Sequence, residues 1–145
     1  LAACDDFRAG KTSFEEGSSK VEKISIERAC GDYLGEKAER LMENFLAAKK
    51  TCDAVFAFND HMALGAQRAM KRFGVRCPKD IAVVGYDDDR VSREAEVPLT
   101  TVRVPVYQMV KDASSRLLRY LDGDQAALSE KTALYPVELV RRASA

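Results

Sequence analysis

The sequence predicts an α/β fold, a parallel-sheet α/β sandwich, and three observations carry that prediction. The run Asp53-Ala54-Val55-Phe56-Ala57-Phe58 is short and almost continuously apolar, as in a strand buried on both faces of a parallel sheet. A second apolar run, Ile81-Ala82-Val83-Val84-Gly85-Tyr86, repeats the pattern after an intervening stretch of helical period. Residues 99–104 then form a β-branched segment between Pro98 and Pro105, and an amphipathic helix pattern follows.

Taken in order, residues 5–16 read as a short helix broken by Gly17-Ser18-Ser19, and residues 21–26 alternate like a strand. Gly31-Asp32-Tyr33 is a turn. Residues 36–48 predict a helix with Ala38, Leu41, Met42, Phe45 and Leu46 on one face and charges on the other. After the first apolar strand, Asn59 and Asp60 are side chains able to accept from the free N–H groups of a helix start. Ala63, Ala66, Ala69, Met70 and Phe73 recur at helical spacing, Gly74 suits the left-handed position that ends many helices, and Pro78 enforces the stop. The second apolar strand ends in Asp87, Asp88 and Asp89. Residues 106–121 place Val106, Met109, Val110, Ala113, Leu117 and Leu121 on one stripe that needs a partner surface, with Gly123 at its end. A last strand is expected over residues 134–140, before the basic, small-residue tail Arg141-Arg142-Ala143-Ser144-Ala145.

A chain of 145 residues with 46% hydrophobic content builds one core with room for an appendage, and not two independent domains. The 23 basic and 23 acidic residues balance, so nothing in the charge attracts nucleic acid to this chain alone. No apolar stretch approaches the roughly 20 residues that cross a bilayer, and no basic and apolar leader pattern opens the chain, which predicts a soluble, unexported protein. Cys4, Cys30, Cys52 and Cys77 stand more than twenty residues apart with no Cys-x-x-Cys pair. That spacing argues against a zinc site and fits reduced cytosolic thiols. A start at Leu1, with no complete sheet nucleus in the first residues, reads as a piece of a longer protein.

In an open parallel α/β sheet, ligands sit in the crevice beyond the carboxyl ends of the strands, where Asn59 and Asp87 fall. Asn offers donors and an acceptor, and an ionised Asp accepts two hydroxyl hydrogens at once, so the pair suits a polyhydroxylated ligand. The plainer reading is a helix cap and a solvated acidic loop. Other motifs fail on chemistry. Gly10-Lys11-Thr12-Ser13 looks like the end of a phosphate loop, but Asp5 stands where that loop needs a Gly, and a carboxylate repels phosphate. His61 is the single histidine and has no nucleophile motif beside it. Calcium loops alternate their acids, unlike Asp87-Asp88-Asp89. No catalytic residue, metal or cofactor is expected.

Three segments carry a family resemblance: Phe58-Asn59-Asp60-His61-Met62-Ala63-Leu64-Gly65-Ala66, Gly74-Val75-Arg76-Cys77-Pro78-Lys79-Asp80-Ile81-Ala82-Val83-Val84-Gly85-Tyr86-Asp87-Asp88, and Pro98-Leu99-Thr100-Thr101-Val102-Arg103-Val104-Pro105. In order and spacing they resemble the effector-binding domain of the LacI/GalR family of bacterial transcription regulators. The resemblance implies the C-terminal lobe of a two-lobed, periplasmic-binding-protein-like fold with a ligand held between the lobes. Under it, residues 1–145 are a partial effector-binding domain. Residues 99–122 form a crossover strand and a helix belonging to the largely missing N-terminal lobe, and residues 134–140 return. The apolar stripe of the helix over residues 106–121, left bare, predicts either association through it or disorder of that helix.

The resemblance also assigns roles. Tyr33 would stack against the effector, and Asn59 and Asp87 would hydrogen-bond it. Arg8 matches a family arginine, but Arg8-Ala9-Gly10-Lys11 is one residue short of the family's Arg-x-x-Gly-aromatic spacing, which puts Arg8 in question as a ligand. Val104 falls where some members place a polar side chain. The implied protein is a cytoplasmic, homodimeric sensor of a sugar or sugar derivative. It would meet operator DNA through an N-terminal helix-turn-helix that this chain does not contain. The alternatives are a periplasmic sugar-binding transport receptor, which shares the cleft but carries a secretory signal, and an α/β enzyme, which needs an acid–base pair or nucleophile that the sequence does not offer.

Overall fold

The computed structural model describes residues 26–129 and 132–145. Arg8, the expected helix over residues 5–16 and nearly all of the expected strand over residues 21–26 lie outside the described residues. The elements run α1 (Gly35–Ala47), β1 (Ala54–Phe56), α2 (Asp60–Arg72), β2 (Ala82–Asp87), α3 (Arg90–Glu94), β3 (Thr100–Arg103), α4 (Val106–Leu121), a 3-10 turn (Gln125–Leu128) and β4 (Glu138–Val140). The four strands form one sheet in the order β1-β2-β3-β4. The first three are parallel, in register through Val55 opposite Val83 and Gly85 opposite Thr101. The short β4 runs antiparallel to β3, with Thr101 opposite Val140.

The core lies where α2 meets the sheet and α1 covers α2. Met42, Ala57, Ala63, Ala66, Ala69, Met70, Ile81, Val83 and Leu99 form one buried cluster. The small residues of α2 permit this closeness. Gly65 faces the backbone of α1, where a Cβ would overlap the Gly35 carbonyl oxygen, so the two helices meet backbone to backbone. Arg68 and Arg72 of α2 reach Glu39 of α1 at 2.7 and 2.8 Å and close the rim of that contact.

One expectation needs correction. The strand over residues 53–58 is not buried on both faces. Among the described residues β1 is the sheet edge, and Phe56 and Phe58 stand 55% and 66% exposed, packed edge to face on each other. The basic, small-residue carboxyl-terminal tail is tied into the sheet. Ser144 is fully buried; its Oγ donates to the Val83 carbonyl at 2.5 Å and accepts from the Thr100 N–H at 2.8 Å, while its own carbonyl accepts from the Val83 N–H at 2.8 Å. The tail thus satisfies backbone groups of both β2 and β3 at this end.

The helix expected over residues 106–121 forms with those bounds and buries no side chain. Val106, Val110, Leu117, Leu118 and Leu121 are all more than half exposed. Among the described residues no helix is long and apolar enough to cross a membrane.

Candidate ligand-binding edge

The carboxyl ends of β1, β2 and β3 and the starts of α1 and α2 meet along one edge of the sheet, and three of the sequence-predicted residues gather there. Asn59 is in extended backbone just before α2, and its Oδ1 accepts the Met62 N–H at 2.8 Å. The expected cap is therefore real. From the same side chain Nδ2 donates to the Tyr33 carbonyl at 3.1 Å, which pins the turn before α1 to the end of β1. One N–H of that amide and one lone pair of its oxygen remain for a ligand.

Asp32 and Tyr33 hold left-handed backbone, with φ of 49° and 58°. This turn lifts the Tyr33 ring outward, where it is 70% exposed next to an exposed Leu34. A bare aromatic face of this kind can cover the apolar side of a sugar ring. Arg8 lies outside the described residues, so it joins neither side chain here. Two surface depressions, one beside α4 and one along α1, include none of Tyr33, Asn59 and Asp87. The edge is an open shelf.

Asp87 and Asp88 differ although they are adjacent. Among the described residues no side chain donates a hydrogen bond to the half-buried Asp87 carboxylate. Burial pushes its pKa up, and the charges of Asp60 and Asp89 push the same way against the pull of His61. It is a carboxylate with open acceptor sites in unfavourable company. Asp88, by contrast, is buried, and three arginines share its carboxylate: Arg103 at 2.7 Å and Arg93 at 3.0 Å on one oxygen, Arg142 on the other. Its burial alone would raise the pKa; the hydrogen bonds from Arg142, Arg103 and Arg93 outweigh that and hold it well below the usual carboxylate range.

Asp60 is a residue that sequence reasoning misplaced. Paired with Asn59 as a second cap, it instead turns inward, wholly buried, and accepts from the Thr101 hydroxyl at 2.5 Å and the Asp89 N–H at 2.8 Å. Burial raises its pKa, and those two hydrogen bonds only partly offset this. Its Oδ1 lies against Gly85, where any Cβ would collide with it and would come within 2.7 Å of Leu99. A helix has one N-cap position, and Asn59 fills it by accepting the Met62 N–H, so Asp60 is the first helical residue and is free to turn inward. For Arg142 and Ser144 no local signal existed, because their partners lie 42 to 67 residues away. The rim closes with His61 3.6 Å from Asp89, both exposed.

The sequence profile of the periplasmic binding protein-like domain matches residues 13–145. The chain belongs to that family. This periplasmic binding protein-like chain is 32% identical over 116 residues to the HTH-type transcriptional repressor CytR of Escherichia coli, which covers 80% of the chain and 33% of CytR. The Lac repressor dimer, solved with operator and the anti-inducer ONPF, superposes with a TM-score of 0.69 at 32% identity over 79% of this chain and 39% of the repressor. A LacI family regulator from Lactobacillus casei with bound glucose superposes at 0.64, also at 32% identity, over 78% of this chain and 40% of that one. The resemblance to the LacI/GalR regulators read from the three sequence segments holds, and the four-stranded, mostly parallel α/β sheet is the corresponding fold. This periplasmic binding protein-like chain spans about a third of the length of the curated relatives it matches.

Proposed function

We propose that this chain is the ligand-sensing part of a DNA-binding transcriptional regulator and that its sheet edge forms one wall of a cleft for a small effector, a sugar or sugar derivative. The observation that carries the reading is the gathering of Tyr33, Asn59 and Asp87 on that edge, with Asn59 linking two of the elements and Asp87 left unpaired. Tyr33 would cover the apolar face of the ring. Asn59 would give and take one hydrogen bond, and Asp87 would accept from two hydroxyls. The relatives are regulators, which favours this over a transport receptor or an enzyme, and the reading carries no catalytic step.

In this scheme β3 and β4 are the two passes of chain toward a second lobe, and α4 is part of that lobe, which accounts for its uncovered apolar face. Effector would favour the closed arrangement of the lobes by its differential affinity and so change operator binding by an N-terminal helix-turn-helix in the intact, dimeric, cytoplasmic protein.

The test uses the intact protein bound to operator DNA selected from genomic fragments, titrated with a panel of mono- and disaccharides. One sugar class should shift DNA binding. Asp87→Asn, which keeps a residue that tolerates φ of 113°, should then raise the half-saturating sugar concentration about ten- to a hundredfold, the worth of hydrogen bonds to a charged acceptor. Unchanged effector affinity would remove Asp87 from the site.

A further inference from the structure

The turn that presents Asp87 is held in a backbone that its sequence does not favour. Asp87 and Asp88 both occupy the left-handed side of φ, at 113° and 59°, and two consecutive residues with a Cβ persist there only where their surroundings hold them. The holding groups are visible. From the Asp88 N–H a long hydrogen bond of 3.4 Å runs to the Thr101 hydroxyl, which itself donates to Asp60; the Asp89 N–H is taken by Asp60. Above all, the buried Asp88 carboxylate gathers Arg93 of α3, Arg103 of β3 and Arg142 of the tail.

Two of those arginines have a particular place in the chain. Arg103 is the last residue of β3 and Arg142 lies just past β4, so they bracket residues 104–137, the segment that contains α4. Arg103 extends the link, since its Nη1 donates to Glu138 of β4 at 3.0 Å, directly opposite it in register. Arg142 adds bonds to the Leu99 carbonyl at 2.7 Å and to Ser92 at 3.0 Å. Because α4 buries no side chain, its placement is set chiefly at these two strands.

We infer that Asp88 is a positioning residue for the candidate site: its carboxylate, through Arg93, Arg103 and Arg142, fixes the turn that presents Asp87 and ties that turn to both strands bracketing residues 104–137. This rests on the reading of Asp87 as an effector contact. On that reading, a change at Asp87 is passed to the bracketed segment through a charge network and not through apolar packing.

The test reads Asp87 itself in the 145-residue chain, by carbon-detected NMR titration of its carboxyl, together with amide exchange along β4. The groups whose charge acts on Asp87 are Asp60 and His61 of α2 and Asp89 of the turn, and all three are left in place; Arg103 stands opposite Asp87 in register, and loss of its charge by itself would move the titration up, against the expected direction. Asp88→Asn is avoided because it leaves three guanidinium groups facing a neutral amide. Arg103→Met removes one partner whose side chain is already 44% exposed, and Arg93→Met removes another. In both variants the loosened turn should admit water and move the Asp87 titration down toward the ordinary carboxyl range, and in Arg103→Met the β4 amides should exchange about tenfold faster. Arg103→Lys should restore part of the wild-type titration by returning the charge without the fork. A lower unfolding temperature with the Asp87 titration unmoved in both variants overturns the inference, and movement with Arg103→Met alone overturns Asp88 as the shared anchor. These readouts need no ligand, so failure of the site reading shows separately, as unchanged effector affinity in Asp87→Asn.

Discussion

Helices α2 and α4 are both amphipathic, both begin beside the end of a strand, and their fates differ. In α2 six of thirteen residues are buried, and three of its alanines with Met70 sit in the core cluster against the sheet and α1. In α4 none of sixteen residues is buried, although its apolar stripe is as regular. An amphipathic pattern therefore states that a helix needs a cover and leaves open whether the same segment of chain supplies it. The sheet half of this molecule meets its own needs, down to a buried Asp88 with three arginines, while the apolar face of α4 is left uncovered among the described residues.

The comparison is broken most severely on the self-sufficient side. Asp88→Ala strands three guanidinium groups around a cavity, and loss of one member of a buried ionic cluster costs about 3–5 kcal/mol. Urea unfolding measures it. Because the Asp88 pKa is depressed in the fold, its stabilisation is present above the unfolded carboxyl value of about 4 and is lost as the pH falls below it. Wild-type protein should lose stability in that acid range, and Asp88→Ala should lose correspondingly less on acidification.

A pair of truncations sharpens the contrast between the helices. Met70→Ala removes a fully buried side chain of α2 and should cost about 2–5 kcal/mol. Leu117→Ala removes a half-exposed one from α4 and should stay within about 0.5 kcal/mol in this chain. If both cost the same in urea unfolding, α4 has a cover within the chain and the comparison fails.

The smallest expected effect has the opposite sign. With its pKa raised in the fold by burial and by Asp60 and Asp89, ionised Asp87 is a cost to stability that exists above its folded pKa and disappears as the pH falls through it. Asp87→Asn should thus stabilise the chain at pH 7 by about 0.5 kcal/mol, and the gain should vanish in acid. A residue that weakens the fold and contributes an open acceptor to an exposed edge fits a binding role better than a structural one. Thermal melts of the two proteins at pH 7 and pH 3 decide it; a variant less stable at pH 7 would assign Asp87 to the scaffold.

Much of the candidate site was legible because its signals are local. Asn59 follows an apolar strand and opens a helix three residues before the N–H it accepts, and Asp87 ends the next strand, so both positions follow from period and punctuation. Tyr33 was legible as part of a turn, but its left-handed backbone and its tie to Asn59 were not. The roles of Asp60 and Asp88 were hidden for the same reason as that tie: a carboxylate in sequence looks like a surface group until its partners arrive from 41, 15 and 54 residues away.

By itself the sequence determined the order of the main strands and helices from residue 35 onward, the α/β class and the edge at which polar residues collect, since hydrophobic period, caps and turn residues act over distances of a few residues; the short α3 and the 3-10 turn carried no such signal. Only the tertiary structure decided which of three consecutive aspartates is buried and paired, that β1 stands at the edge of the described sheet, and that the tail locks β2 to β3 through Ser144. Burial and pairing depend on neighbours brought together across dozens of residues, where the energy of a charge changes with its surroundings far more than with its place in the chain.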